Sequence, residues 1–313
     1  MESAYEIAII GGGPAGLTAG LYAARATRRT VCFEQKVTGG QIALTSRVEN
    51  YPGFVDGVNG YDLAQQMEAQ AERYGLEMRY EPVTALRRDG ERYQLSTDDG
   101  EVAANAVILT AGADYTRLGI PGEERLTGRG VSYCATCDAA FFKDQVVAVV
   151  GGGDAALDEG FFVSRYASKV HLIHRRDSLR AGRILQERAF ANPRFEFVWD
   201  TVLTSIEGET EVSGVRTHNL RTGEAALLDV AAVFIFIGQH PNSQLLNGLA
   251  PLDAGGHVVV DLWMQTSAPG LFAAGDIRAE SSRQVVSSAG DGATAAIAAD
   301  RYLQERFPRL RRD

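Results

Sequence analysis

The sequence predicts an α/β chain made of two copies of one domain, the second inserted into the first. Three observations predict it. A strand–glycine turn–helix–strand pattern occurs twice, at residues 5–34 and 145–176. Each copy later reaches a polar hairpin, "STDDGEV" or "LRTGEAALL", and then an apolar strand that closes on glycine, "NAVILTAGA" at Gly112 and "AAVFIFIGQHPN" at Gly238. Self-similarity of this kind marks a duplicated domain. Third, the second copy is followed by "SAPGLFAAGDI", a further apolar strand ending at Gly275 and Asp276. After it comes an amphipathic helix expected from about Ala293 to Phe307, entered through "SSAGDG". These last parts have no counterpart in the second copy, so they return to complete the first domain.

In the first copy, "YEIAIIGGGPAGLTAGLYAARATRRTVCFEQ", Tyr5–Ile10 is a short apolar run and Gly11, Gly13 and Gly16 satisfy G-x-G-x-x-G. A helix of period 3.6 follows through Leu17, Leu21 and Ala24, and a second strand ends at Glu34. Gly11 allows the tight turn, Gly13 lets the backbone approach a pyrophosphate, and Gly16 lets helix and strand pack closely. The helix N-terminus then faces phosphate charge. Glu34 stands where a carboxylate accepts a hydrogen bond from a ribose 2′-hydroxyl. The second copy has Gly151, Gly153 and Ala156 as G-x-G-x-x-A, but its second strand ends in His174, Arg175 and Arg176, with Arg180 one turn on. A ribose hydroxyl wants a carboxylate; a 2′-phosphate is a dianion and wants arginines. The first copy therefore suits FAD or NAD and the second NADPH. Two short connections, near Ala113–Thr116 and His240–Ser243, join the copies, as a hinge would.

Composition narrows the function. The chain has 313 residues, 45% hydrophobic and 23% charged, with a net charge of −9. That balance, with Lys and Arg scattered, argues against nucleic acid or an anionic membrane as the main partner. The terminal "RLRRD" reads as a solvated helix end. The opening "MESAYEIAIIGGG" puts an acidic residue and a strand where a secretion signal has a basic and then an apolar segment. No apolar run approaches the roughly 20 residues of a membrane helix. Three cysteines, Cys32, Cys134 and Cys137, are too few for a secreted disulfide framework, so a cytoplasmic location is expected.

The stretch "SYCATCDAAFF" carries Cys134 and Cys137 at Cys-x-x-Cys spacing. Such a pair can ligate half a zinc site, form an inert crosslink, or carry electrons. Zinc needs four ligands. Cys32 falls inside the second strand and reads as buried core, and the five histidines show no paired spacing beyond His171 and His174. A permanent crosslink adds little to a chain with two large cores.

The conjunction of motifs resembles the low-molecular-weight thioredoxin reductases among the flavoprotein pyridine nucleotide-disulfide oxidoreductases. It covers essentially the whole chain and rests on "GGGPAG", "TGGQ", "VENYPG", "CATCD", "GGGDAALDE", "HRRDSLRA", "FAAGD" and "RQVVSSAGDG". The resemblance implies two Rossmann-like three-layer ββα domains: an FAD-binding domain over 1–115 and 244–313, and an NADPH-binding domain over 116–243 that carries the Cys-x-x-Cys. It implies FAD pyrophosphate on the turn of Gly11, Gly13, Pro14, Ala15 and Gly16, and adenosine ribose near Glu34. Gly39, Gly40, Gln41 and Asn50 would line the flavin pocket, Val83 would offer backbone to the adenine, and Asp276 would hold the ribityl chain. Gln284 and Val285 would approach the flavin ring, with Gly112, Gly275 and Arg283 completing the site. NADPH would bind at Gly153, Asp154, Ala155, Ala156, His174, Arg175, Arg176 and Arg180. The family usually has a hydroxyl residue at Ala155 and often Asn at Asp154; the Asp154 carboxylate would either weaken NADPH modestly or cap the helix and point away.

The chemistry implied is hydride transfer from NADPH to FAD, then two electrons to the Cys134–Cys137 disulfide, then exchange with oxidised thioredoxin. By resemblance Cys137 is flavin-proximal and Cys134 attacks the partner, while Asp138 is the candidate proton donor, or else a cap on "AAFF". The dithiol and the nicotinamide sit on one domain yet must both reach one flavin, so rotation of that domain is expected between half-reactions. A homodimer is also implied by the family. The rivals are an NADPH–flavin reductase of ferredoxin or flavodoxin, which needs no dithiol, a reductase of another small disulfide carrier, and a non-catalytic flavin-binding module.

Overall fold

The computed structural model describes residues 5–45, 47–246 and 248–308. The basic stretch at 309–313 lies outside the described residues. In chain order the elements are β1 (Tyr5–Ile10), α1 (Pro14–Arg25), β2 (Thr30–Phe33), α2 (Gly60–Arg73), β3 (Glu77–Arg79), β4 (Val83–Asp89), β5 (Arg92–Thr97), β6 (Gly100–Leu109) and β7 (Ala113–Tyr115). Then follow β8 (Val131–Ser132), α3 (Ala135–Asp138), β9 (Val146–Val150), α4 (Asp154–Val163), β10 (Lys169–Ile173), α5 (Arg183–Ala191), β11 (Phe195–Val198), β12 (Thr201–Glu207), β13 (Gly214–Asn219), β14 (Ala225–Leu228) and β15 (Ala232–Ile235). The chain closes with β16 (Gln239–Pro241), β17 (Leu271–Ala273) and α6 (Val285–Arg306). It divides into two compact units, Met1–Asp114 with His240–Asp313, and Tyr115–Gln239.

The first unit is built on a seven-stranded sheet in the order β3-β2-β1-β6-β5-β4, with β17 also pairing β6. The run "YEIAII" of β1 is buried at all six positions, as a parallel strand covered on both faces must be. β6 belongs to three ladders. Residues 100–104 pair antiparallel with β5, and residues 104–109 pair parallel with β1 and β17. One face of the sheet packs against α1 and α6 through Ile7, Ile9, Ala19, Ala23, Ala295 and Ala299. The other face carries a second cluster that includes Phe33, Leu95, Leu109, Val258 and Ile277.

Helix α6 begins at Val285, not near Ala293 as the sequence suggests. Gln284 and Ser287 form a reciprocal capping box that starts it. The glycines of "SSAGDG", expected at the entry to the helix, lie inside it. A Cβ on Gly292 would stand 2.1 Å from the Ala15 carbonyl oxygen, so this glycine is what lets α6 close on α1.

A buried ion-pair cluster fastens the same corner. Arg28 Nη1 lies 2.8 Å from Glu6 Oε1 and its Nε 2.6 Å from Asp300 Oδ1, and the Arg29 N–H donates to Glu6 Oε2 at 2.8 Å. The Arg28 side chain is 9% exposed. Arg28→Ala would leave Glu6 with the Arg29 N–H and Asp300 with Gln304 but take away the counter-charge of both, at a cost of about 3 kcal/mol. Calorimetry should show the melting of the FAD-loaded protein fall by roughly 5–10 °C; a shift under about 2 °C would show the cluster to be inconsequential.

The second unit has three layers. A five-stranded sheet, β11-β10-β9-β15-β8, is parallel throughout. Leu157, Val163, Leu172, Ala189 and Phe234 join one face to α4 and α5. On the other face Val150, Ile173, Leu203, Ile206 and Val215 join it to the antiparallel sheet β12-β13-β14. Sheet on sheet on helix is the ββα arrangement, and each layer buries one apolar face of its neighbour.

Candidate functional site

Three turns gather the residues that the sequence singles out: one glycine turn in each unit, and the cysteine turn in the second. In the first glycine turn, Gly11 adopts φ +110°, and a Cβ there would meet the Thr110 carbonyl oxygen at 2.5 Å. A Cβ on Gly16 would stand 1.9 Å from the Gly11 oxygen, so the first and last glycines are fixed by the protein's own packing. Among the described residues, a Cβ on Gly13 would meet nothing within 4 Å. That position is open, and it is the N-cap of α1, with Pro14 in the first turn. Thr110 Oγ1 donates to the Gly11 oxygen at 2.8 Å. Ala15 lies against Gly275, whose Cβ would come within 3.0 Å of the Ala15 methyl.

Other segments converge on this turn. The Gly39 N–H donates to the Gly12 oxygen at 2.8 Å, and a Cβ on Gly40 would have the Gly13 Cα as its nearest neighbour at 3.9 Å. The Glu34 carboxylate accepts from the Gly12 N–H through Oε2 and from the Lys36 N–H through Oε1, both at 2.8 Å. Gln41 Nε2 donates to the Ala113 oxygen. Asn50 Nδ2 donates to Gln284 Oε1 at 3.0 Å, so two residues far apart in the chain meet, one residue ahead of Val285 and α6. Arg283, just before them, has φ +55°. Asp276 Oδ1 accepts from Ser281 and Ser288 at 3.2 Å each, and burial raises its carboxyl pKa. The Gly112 oxygen accepts from the Asn242 N–H at 3.0 Å. Val83 opens β4 and pairs with Thr97.

The second glycine turn repeats the logic. A Cβ on Gly151 would meet the Phe236 oxygen at 2.4 Å, while Gly153, the N-cap of α4, is open. Ala156 is buried at the close contact. Ala155 is exposed in the first turn of α4. Asp154 is not the helix cap that the sequence offers as one of two courses. It is the first helical residue, caps nothing, and its Oδ1 accepts the Gly182 N–H at 2.6 Å. With Arg180 N–H donating to the Gly152 oxygen at 2.7 Å, it braces the loop after β10 against the glycine turn. Arg175, Arg176 and Arg180 are exposed on that loop, whereas His174 is buried beneath it. A side chain on Gly152 would overlap the His174 ring, at 2.3 Å from its Cε1. His174 Nε2 is a buried polar atom with no hydrogen-bond partner among the described residues, and the ring meets Trp199 edge-on. Burial, then Arg180, Arg176 and Arg175, push the His174 pKa down, so the ring is neutral and the positive charge belongs to the arginines.

The cysteine turn joins β8 to α3. Cys134 and Cys137 form a disulfide with Cα atoms 5.3 Å apart. Both are partly exposed. Asp138 is not a side-chain cap on the turn that follows. Its Oδ2 accepts a 2.5 Å hydrogen bond from Ser132 Oγ, and burial raises its pKa against that bond. Ser132 Oγ in turn accepts from the Cys134 N–H at 3.1 Å. On the far side Glu159, in α4, accepts the Ala135 N–H through Oε2 at 3.0 Å. Tyr133 donates to the buried Glu123, which also accepts from the N–H groups of Leu118 and Gly119. Cys32, in β2, is fully buried, as the sequence suggests.

Sequence reasoning misses Ser132, Glu159 and Glu123 around the disulfide. It also misses the Arg278–Asp291 pair, in which Asp291 Oδ2 accepts from Arg278 Nε at 2.6 Å and from the Gly275 N–H at 3.2 Å. No spacing rule announces them. Only Ser132, two positions before Cys134, is close enough in sequence to be suspected.

Comparison with known proteins gives concordant findings. The family model described as pyridine nucleotide-disulphide oxidoreductase matches residues 5–293. The chain is 46% identical over 303 residues to a thioredoxin reductase of Treponema pallidum (strain Nichols), covering 97% of this chain and 98% of the relative. It is 47% identical over 305 residues to one of Mycolicibacterium smegmatis, covering 97% and 98%. The crystal structure of thioredoxin reductase from Streptococcus pyogenes MGAS5005 superposes with a TM-score of 0.94 at 43% identity, covering 97% of this chain and 100% of that one.

Proposed function

The chain belongs to the pyridine nucleotide-disulphide oxidoreductase family and, within it, to the low-molecular-weight thioredoxin reductases. From that premise we infer that it is an FAD-dependent enzyme that uses NADPH to reduce the disulfide of thioredoxin. The observation that carries this reading is the Cys134–Cys137 disulfide, formed on the same unit as the arginine-flanked glycine turn.

The residues fit the two cofactors. The open Gly13 and Gly153 positions are where a pyrophosphate needs close backbone, each at the start of a helix. FAD is assigned to the first unit, with the Gly11–Gly16 turn at its pyrophosphate and Glu34 at its ribose. Gly39, Gly40, Gln41, Asn50, Asp276 and Gln284 are assigned to the rest of its length. NADPH is assigned to the second unit, with Arg175, Arg176 and Arg180 on the 2′-phosphate. FAD held there would supply a hydride acceptor for NADPH and a two-electron donor for the disulfide. The protein's share is to hold the disulfide ready, to supply a proton and to present the dithiol to thioredoxin. Opening the disulfide consumes two electrons and one proton and leaves one thiol and one thiolate. Cys134 is assigned the attack on thioredoxin, and Cys137 the closing step. Because both half-reactions need one flavin, rotation of the second unit between them is part of the proposal, as are a homodimer and a cytoplasmic setting.

The test is NADPH oxidation by the purified, FAD-loaded protein with thioredoxin and a chromogenic disulfide. The reading is lost if thioredoxin adds nothing to the rate.

Asp138 is assigned the proton. Its pKa is raised, so the carboxyl keeps its proton above the ordinary range and gives it up as pH climbs through the folded value. Turnover should therefore decline on the alkaline side. Asp138→Asn should cut thioredoxin reduction about 10²-fold and remove that decline. An unaltered alkaline limb in the variant would assign the proton to another group.

A further inference from the structure

We propose that Glu159 sets the charge state of the reduced dithiol: the carboxylate that accepts the Ala135 N–H puts a negative charge beside Cys134 and disfavours its thiolate. The proposal rests on the reading of Cys134–Cys137 as the disulfide that is turned over.

Glu159 lies in α4, where Ala156, Leu157, Gly160 and Val163 are buried. Its own side chain is half-buried beside them. An acidic residue on a packing face needs a partner, and the Ala135 N–H is one, at 3.0 Å from Oε2. Ala135 directly follows Cys134, which has extended backbone and stands at the N-cap of α3. In a Cys-x-x-Cys turn, the backbone N–H groups after the first cysteine are what lower its thiol pKa. Here the first of them is already committed to a negative charge. The second carboxylate hydrogen-bonded to this loop, Asp138, is reached through Ser132, whose Oγ also accepts from the Cys134 N–H. The loop is thus framed by Glu159 from α4 and Asp138 from its own end.

The chemical consequence follows from the proton count. A disulfide that takes two electrons and one proton becomes a thiol and a thiolate; with a second proton it becomes a dithiol. A nearby carboxylate disfavours the thiolate, so the second proton is held at neutral pH. A dithiol that keeps its protons is the better reductant, since less of the reduced form is stabilised as the anion. The electrons come from NADPH by way of the cofactor, as the activity already requires. Glu159 thereby acts as a charge-setting residue, through the Ala135 N–H.

Glu159→Gln keeps an acceptor for the Ala135 N–H and removes the charge; Glu159→Ala removes both. The FAD-loaded protein is reduced with a phosphine, and iodoacetamide labelling of Cys134 is followed against pH by mass spectrometry. The disulfide is separately equilibrated with dithiothreitol at pH 7 and pH 9. Glu159→Gln should lower the pH midpoint of labelling by about one unit. It should favour the reduced form about fivefold at pH 9 and less than about twofold at pH 7, because only the thiolate is affected. Glu159→Ala should share the shift. If Glu159→Gln labels and equilibrates as the wild type does, the proposal is overturned, whether or not Glu159→Ala differs. A difference in Glu159→Ala alone would assign a purely structural hydrogen bond. Neither measurement uses NADPH or thioredoxin, so both still report if the activity itself were misassigned.

Discussion

Cys134→Ser is expected to abolish NADPH-dependent thioredoxin reduction, by about 10³-fold or more, while NADPH still bleaches the flavin. A serine hydroxyl can neither pair with Cys137 nor attack a disulfide at neutral pH. The electron pair then has no outlet on the protein. Anaerobic titration should take up about four electrons per subunit in the wild type, two at FAD and two at the disulfide, and about two in the variant. Thiol counting on the reduced wild type should find two more thiols than on the oxidised protein, and no such gain in Cys134→Ser. Cys32 stays out of the count because it is fully buried, with its pKa pushed far up by burial, and so reacts only on unfolding. Thioredoxin reduction within tenfold of wild type would mean that electrons leave by another route, as in a reductase of one-electron carriers.

Replacing Arg175 and Arg176 together with alanine should raise the Michaelis constant for NADPH by about 10²- to 10⁴-fold relative to NADH, since each guanidinium–phosphate hydrogen bond is worth roughly 1.5–3 kcal/mol. The structure sharpens this expectation. Both arginines are exposed at the end of β10, free of the packing that holds His174, so their removal should leave the fold alone. His174 cannot replace their charge, since burial keeps it neutral. Thermal melting of the double variant should match the wild type, and the constant for NADH should move less than about threefold. Equal losses for the two coenzymes would show that the arginines do not meet the 2′-phosphate.

Much of this architecture is written in local patterns. Gly11, Gly13 and Gly16 betray the first turn because their roles depend on neighbours a few positions away. The same holds for Gly151, Gly153 and Ala156. What escapes the sequence depends on distant partners. Gly292 reads as lying ahead of the helix, yet it sits inside α6, close against Ala15 on another helix. Asp154 reads as a possible cap, yet its carboxylate turns to the Gly182 N–H, because that partner lies across a loop. Glu159 shows no signal at all: its hydrogen bond runs backwards to Ala135, over a separation of 24 residues.

Helix α4 has a practical consequence. It opens at the glycine turn assigned to the coenzyme, and it also carries the side chain that holds the cysteine loop. Anyone converting this enzyme from one nicotinamide dinucleotide to the other by grafting the helix from a donor scaffold would discard Glu159 with it, and retune the sulfur chemistry unawares. Edits confined to residues 174–180 would alter coenzyme choice and leave that helix in place.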